Sequence, residues 1–243
     1  MTKSIQIGDY FCQLYGKEMP KKIIFWFVNE QRLEIGEKVY HKVRNEQQTI
    51  PFVLVAVRIS DWNRELSPWS APAVLGTEAF SGEGNILQKW LVNQGISGIL
   101  KELDLKKQDV ELLIGGYSLA GLFALWTFCE TGIFDGVASC SGSFWYPGWM
   151  EYAKTHIPKM GSRIYLSLGR KEEKVRNTTL SLIGDCTREL YHLYREAKEV
   201  QEIVLEWNNG NHFAETEERM AKGFRWLLRD RNCLIAECIQ KKS

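Results

Sequence analysis

The stretch VELLIGGYSLAGLFALWTFCET, Val110–Thr131, decides the fold. Val110, Leu112, Leu113 and Ile114 make a short apolar run of the kind an interior strand of a parallel sheet presents. Gly115 and Gly116 then leave room for a sharp turn with Ser118 at its apex, and Leu119–Thr131 has helical composition. A strand, a tight turn and a helix in this order make a nucleophile elbow, in which a strained turn lifts a serine hydroxyl out of the sheet. The Leu119 backbone N–H, at the helix N-terminus, is then placed to stabilise an oxyanion. The usual spacing is G-x-S-x-G. Here it reads Gly116-Tyr117-Ser118-Leu119-Ala120, with Gly121 one place later. Position 120 needs a small side chain because helix and strand pack closely there, and Ala meets that need. A glycine-rich turn with an incidental serine is the alternative, which the rest of the chain must decide.

Working outward, further strands flank this stretch. Lys22–Val28 (KIIFWFV) and Pro51–Ile59 (PFVLVAVRI) are continuous apolar runs rich in β-branched and aromatic residues, as buried strands are. Gly136–Cys140 and Arg163–Leu168 are shorter strands, and Glu202–Trp207 is the last. Between them, Asn29–Thr49 has room for a short helix, with Leu33, Val39 and Val43 supplying apolar contact. Ile86–Asn93 and Ile96–Leu103 read as helix, the second on Ile96, Ile99, Leu100 and Leu103. Thr178–Glu199 reads as one long helix with Ile183, Leu190, Leu193 and Tyr194 inward, and Ala214–Arg229 as another with Met220, Phe224, Leu227 and Leu228 inward. The loop Ser60–Pro72, with two prolines and two tryptophans, reads as neither helix nor strand. Residues 1–20 supply an edge strand or an N-terminal arm, and 231–243 a C-terminal tail. Parallel strands need crossovers, and these are right-handed. The expectation is one domain over 1–243, a three-layer α/β/α sandwich on a mostly parallel central sheet.

Composition excludes several classes of function. The 243 residues are 44% hydrophobic and 25% charged, with a net charge of +1 that gives no reason to expect nucleic acid or a membrane surface as partner. The N-terminus lacks the apolar core of a signal peptide, and no apolar stretch is long enough to span a bilayer, so the expected location is cytoplasmic. Cys12, Cys129, Cys140, Cys186, Cys233 and Cys238 form no C-x-x-C pair and no cluster with zinc-ligand spacing, and they read as free thiols. Gly82-x-Gly84 follows no strand and lacks a third glycine, so it is no dinucleotide site. Neither a cofactor nor a metal is called for.

In a parallel sheet, residues just past the strand C-termini gather along one edge. Ser118, the pair Glu172 and Glu173, and His212 each follow a strand in this reading. Serine, acid and histidine in that order is the order of the α/β-hydrolases. The residue types suit acyl chemistry. A serine hydroxyl is a weak nucleophile until a base takes its proton, and imidazole can take it and return it. A carboxylate on the other ring nitrogen fixes the tautomer. His41, His156 and His192 lie outside such strand-end loops. For the acid, Glu172 is the first choice and Glu173 the second. A second oxyanion donor falls in Ser60–Asn63, with Trp62 first and Asp61 second. Tyr117, Trp69, Phe144, Trp145 and Tyr146 are the candidate substrate contacts, as an aromatic rim over an open site with at most a small cap.

GGYSLAG around Ser118, DWNRELSPW, SGSFWYPGW, LGRKEEK and GNHF together resemble the esterase group of α/β-hydrolases that includes esterase D-like and enterochelin-esterase-like enzymes. The resemblance runs from about residue 22 to 230. It implies hydrolysis of a small-molecule carboxylic ester through an acyl-serine intermediate without metal or cofactor. Ser118 would be the nucleophile, His212 the base, and a carboxylate after Gly169 the acid. Some members of the group transfer acyl groups instead. An acyltransferase, a peptidase, or a binding protein on the same fold are the alternatives.

Overall fold

A computed structural model describes residues 2–16, 19–33, 35–44, 50–74 and 76–230. Eight strands form one sheet in the order β1-β2-β4-β3-β5-β6-β7-β8. They are β1 (Thr2–Ile7), β2 (Tyr10–Gly16), β3 (Lys22–Val28), β4 (Phe52–Arg58), β5 (Glu111–Tyr117), β6 (Gly136–Cys140), β7 (Ser162–Gly169) and β8 (Val200–Asn208). From β4 across to β8 every neighbouring pair is parallel. β1 and β2 form an antiparallel hairpin, and β2 runs antiparallel to β4. The first residues are thus an edge hairpin rather than an arm.

Among the described residues ten α-helical segments accompany the strands: α1 (Glu30–Leu33), α2 (Gly36–Arg44), α3 (Trp62–Glu65), α4 (Gly84–Trp90), α5 (Ile96–Glu102), α6 (Leu119–Thr131), α7 (Trp149–Thr155), α8 (Thr178–Ser181), α9 (Ile183–Glu196) and α10 (Thr216–Leu227). Strand side chains alternate between two faces, and both are buried. Ile23, Phe25 and Phe27 of β3 join Leu87, Ile99, Phe123, Trp149 and Leu190 from α4, α5, α6, α7 and α9. Ile24, Trp26 and Val28 turn the other way, onto Val39 and Val43 of α2 and Met220 and Phe224 of α10. The result is the expected three-layer sandwich.

Several boundaries differ from the sequence reading. β5 runs on through Gly115 and Gly116 to Tyr117, so these glycines lie inside the strand rather than in the turn. Close packing explains them. A Cβ on Gly115 would press on the Phe224 ring, and one on Gly116 would collide with the Ala120 carbonyl. The loop after β4 contains one helical turn, α3, capped where Asp61 Oδ1 accepts the Arg64 N–H at 3.1 Å. Glu65 closes that turn from the other end, its Oε1 accepting the N–H groups of Ser60 and Asp61. α4 begins at Gly84 and continues into α5 through a π turn, Leu91–Gly95. The expected long helix from Thr178 breaks at Leu182 and ends at Glu196, because Ala197 is already extended. Cys12, Cys129, Cys140 and Cys186 are free, while Cys233, Cys238 and the tail 231–243 lie outside the described residues. No helix among the described residues is long and apolar enough to cross a membrane.

Candidate active site

The parallel register brings the ends of β3, β5, β7 and β8 to one edge of the sheet. Tyr117 closes β5, and the chain reverses at Ser118 with φ +61° and ψ −125°. A side chain seldom adopts a positive φ, and the strain persists only where the surroundings enforce it. Here the Ser118 N–H donates to the Cys140 carbonyl at 3.0 Å, and the Ser118 carbonyl accepts from Gly121 and Leu122 at 2.9 and 3.1 Å. The turn is pinned on both sides. Leu119 is the first residue of α6, so its N–H belongs to the unpaired set at that helix end.

His212 follows β8 and reaches back across the edge. Its Nε2 lies 3.0 Å from Ser118 Oγ, and its Nδ1 lies 2.7 Å from Glu172 Oε2. Three strand ends therefore supply a continuous chain of hydroxyl, imidazole and carboxylate. Glu172 arrives by a tight turn after β7 in which its N–H donates to the Gly169 carbonyl at 2.9 Å. The turn folds its carboxylate back, so that Oε1 accepts the Gly169 N–H at 2.7 Å and the Ser141 hydroxyl at 2.8 Å. The residue is 5% exposed. Burial alone would push this carboxyl up. The hydrogen bond and charge of His212 and the donors Ser141 and Gly169 outweigh that, and the carboxyl is held below its ordinary value. Glu173, the second choice for the acid, points away and pairs with Arg188 at 2.7 Å.

A buried arginine completes the surroundings of Glu172. Arg219 of α10 places Nη1 2.8 Å from Glu172 Oε1 and 3.0 Å from the Tyr117 hydroxyl. Its Nη2 donates to the carbonyls of Asn209 and Asn211 at 2.8 and 3.0 Å. The Tyr117 hydroxyl donates in turn to the His212 carbonyl at 2.7 Å. Burial pushes this phenol up to about 12, so it keeps its proton for that bond. Tyr117, expected at the substrate, also holds the histidine loop.

A cavity of about 200 Å³ opens at Ser118, bordered by Asn29, Trp62, Tyr117, Ser118, His212 and Phe213. Trp62 borders the cavity, at the place expected of it. Asp61 is not available as an oxyanion donor, since its N–H already donates to Glu65 at 2.8 Å. The strand beside β5 is β3, with Trp26 paired to Gly115, whereas β4 lies one place further out. The residue that follows β3 at this edge is Asn29, which the sequence reading passed over.

Of the expected aromatic rim, Tyr117 borders the cavity, and the other four rings do not. Phe144 and Tyr146 are buried in the core, while Trp69 and Trp145 pack on it partly buried. The Trp69 Nε1–H donates to the Pro147 carbonyl at 2.8 Å, the Tyr146 hydroxyl donates to the Trp69 carbonyl at 2.5 Å, and Trp145 and Tyr146 both pack on Phe80. These rings tie the segment after α3 to the segment after β6. Cys140 sits buried beneath the site with its thiol pushed up to about 12, a packing residue. The aromatic at the mouth is Phe213, 81% exposed and edge-on to the His212 ring at 5.3 Å. Its one legible signal is its place beside a loop histidine. Arg219 offered less, as one charge on a helix already rich in charge. Among the described residues no group of three or more His, Cys, Asp or Glu side chains is placed to hold a metal ion.

No family model and no curated protein sequence matches the chain. Solved structures do match. A siderophore hydrolase EstB from Aspergillus nidulans superposes with a TM-score of 0.73 at 15% identity over 95% of each chain. An IroE-like serine hydrolase from Shewanella oneidensis gives 0.79 at 11% identity, over 94% of this chain and 80% of that one. The enterobactin esterase FES from Shigella flexneri gives 0.69 at 18% identity, over 93% of this chain, which spans 59% of the esterase. At such identities the likeness is one of fold. Strand order, elbow and these neighbours agree, and the chain has the α/β-hydrolase fold.

Proposed function

We propose that the chain is a serine hydrolase that cleaves a small-molecule carboxylic ester. The observation that carries this reading is the unbroken path from Ser118 Oγ to His212 Nε2 at 3.0 Å and from His212 Nδ1 to Glu172 at 2.7 Å. Ser118 Oγ attacks the ester carbonyl carbon while its proton passes to His212 Nε2. The carbonyl π electrons move to oxygen, and the oxyanion is held by the Leu119 N–H and by a second N–H at the end of β3, where Asn29 borders the cavity. Collapse breaks the bond to the alkoxide, which takes the proton from His212. Water, deprotonated by His212, then attacks the acyl-serine and releases the acid. Glu172 holds the His212 tautomer and stabilises the imidazolium.

The cavity admits a compact group at Ser118, and Phe213 meets what projects outward. The ester-cleaving names carried by structures of similar fold support the reaction class.

Turnover of p-nitrophenyl acetate and butyrate tests the reading. Wild type is expected to hydrolyse them, and Ser118→Ala and His212→Ala each to lose about 10⁴-fold or more in kcat. Hydrolysis that survives Ser118→Ala contradicts it.

A further inference from the structure

Arg219 is fully buried, which is uncommon for an arginine and is tolerated only with partners. Its two amino groups divide their bonds between the two halves of the site. Nη1 meets Glu172 and Tyr117, and Nη2 meets the carbonyls of Asn209 and Asn211, which flank the turn into His212. Its Nε is buried and makes no hydrogen bond among the described residues. The carboxylate faces His212 with one oxygen and Arg219 with the other.

We infer that Arg219 is the positioning residue of this site: one guanidinium fixes both the carboxylate that orients His212 and the loop that carries His212. The inference rests on the Ser118–His212–Glu172 reading. It adds that the relay is set by a group that touches neither the serine nor the substrate.

The charge has a consequence that geometry alone does not have. Before His212 can act as base it must give up the proton on Nε2, which takes the pair from neutral (imidazolium and carboxylate) to singly negative while the Nδ1 proton stays between His212 and Glu172. A fixed positive charge 2.8 Å from Glu172 favours that loss. The other groups near Arg219 do not substitute for it. Tyr117 from β5 and Cys140 from β6 keep their protons, and Ser141 is neutral. Glu206 of β8 is paired with Lys222 at 2.6 Å, and Glu215 on the helix of Arg219 meets it only by backbone. Removing Arg219 therefore moves the acid limb of activity to higher pH.

The test uses Arg219→Met, Arg219→Lys and Tyr117→Phe in the full chain, with kcat, KM and pH profiles for p-nitrophenyl acetate and the NMR resonance of the His212 Nδ1–H that faces Glu172. Arg219→Met is expected to lower kcat about 100-fold with KM within about threefold, to move the acid limb of the profile to higher pH, and to shift or broaden that resonance. Arg219→Lys keeps the charge and returns the acid limb to its wild-type place, with kcat only partly restored because an ammonium cannot span the fork. Tyr117→Phe changes no charge and lowers kcat about tenfold with the acid limb unmoved. Wild-type kcat and an unchanged resonance in folded Arg219→Met overturn the inference. If that variant does not fold, wild-type kcat in both Arg219→Lys and Tyr117→Phe overturns it. The resonance needs no turnover, so its change in Arg219→Met without ester hydrolysis in wild type refutes the esterase reading and leaves the positioning standing.

Discussion

Glu172 and Glu173 are adjacent in sequence and face opposite ways: the Glu172 carboxylate meets His212 at 2.7 Å, and the Glu173 carboxylate meets Arg188 at 2.7 Å. The turn after Gly169 makes the difference, because it folds the third residue back onto the strand end and sends the fourth outward to α9. If Glu172 is the triad acid, Glu172→Gln loses about 10²–10⁴-fold in kcat for p-nitrophenyl acetate. Glu173→Gln breaks only a half-exposed pair and stays within about twofold. Equal losses in the two variants would contradict this assignment.

The same carboxylate makes stability depend on pH. Its pKa is lower in the folded protein than in the unfolded chain. The folded state therefore gains stability above the unfolded carboxylate value of about 4.3, and loses it as pH falls through the lower folded value. Glu172→Gln lacks this gain at every pH. The difference in Tm between wild type and Glu172→Gln should be largest near pH 6–7 and should shrink toward pH 3. Glu206 and Glu218 are also held low, yet they are common to both proteins and leave the difference unaffected. A gap that stays constant with pH refutes the linkage.

Strain at the elbow predicts an exchange of stability for function. Ser118 holds φ +61°, which glycine adopts without a Cβ penalty. Relief of about 1–3 kcal/mol, less about 0.5–1 for the greater chain freedom of glycine, leaves Ser118→Gly about 1 kcal/mol more stable. That corresponds to a rise in Tm of about 2–4 °C, with esterase activity abolished. Ser118→Ala, which keeps a Cβ, should not show the rise.

Backbone oxyanion donors are separated by proline. Asn29→Ala and Trp62→Ala keep their N–H groups, while Asn29→Pro and Trp62→Pro remove them. Position 62 opens a helical turn and accepts proline. Asn29→Pro should fall about 10²-fold in kcat below Asn29→Ala, and Trp62→Pro should match Trp62→Ala. The reverse pattern would place the donor at the end of β4.

What the sequence made legible was periodicity and order. The buried runs at Lys22–Val28 and Val110–Ile114 pointed to strands, and the residues after them pointed to one edge. What it did not make legible was adjacency. The oxyanion loop was sought after β4 because β4 reads as the strand that precedes the first helix, whereas β3 is already followed by α1 and α2 and is the strand that lies against β5. Phe144 and Tyr146 looked like a rim because aromatic clusters in broken segments look alike whether they face a ligand or a core. Arg219 could not be singled out, since its importance lies in five bonds to residues up to 102 positions away.

The most direct test of the central claim is covalent. A fluorophosphonate probe is incubated with the intact chain and its adduct located by peptide mass spectrometry, for wild type and for His212→Ala. The relay predicts a single adduct on Ser118 in wild type, formed at least about 100-fold more slowly in His212→Ala. No adduct on Ser118, or equal labelling rates in the two proteins, would contradict it.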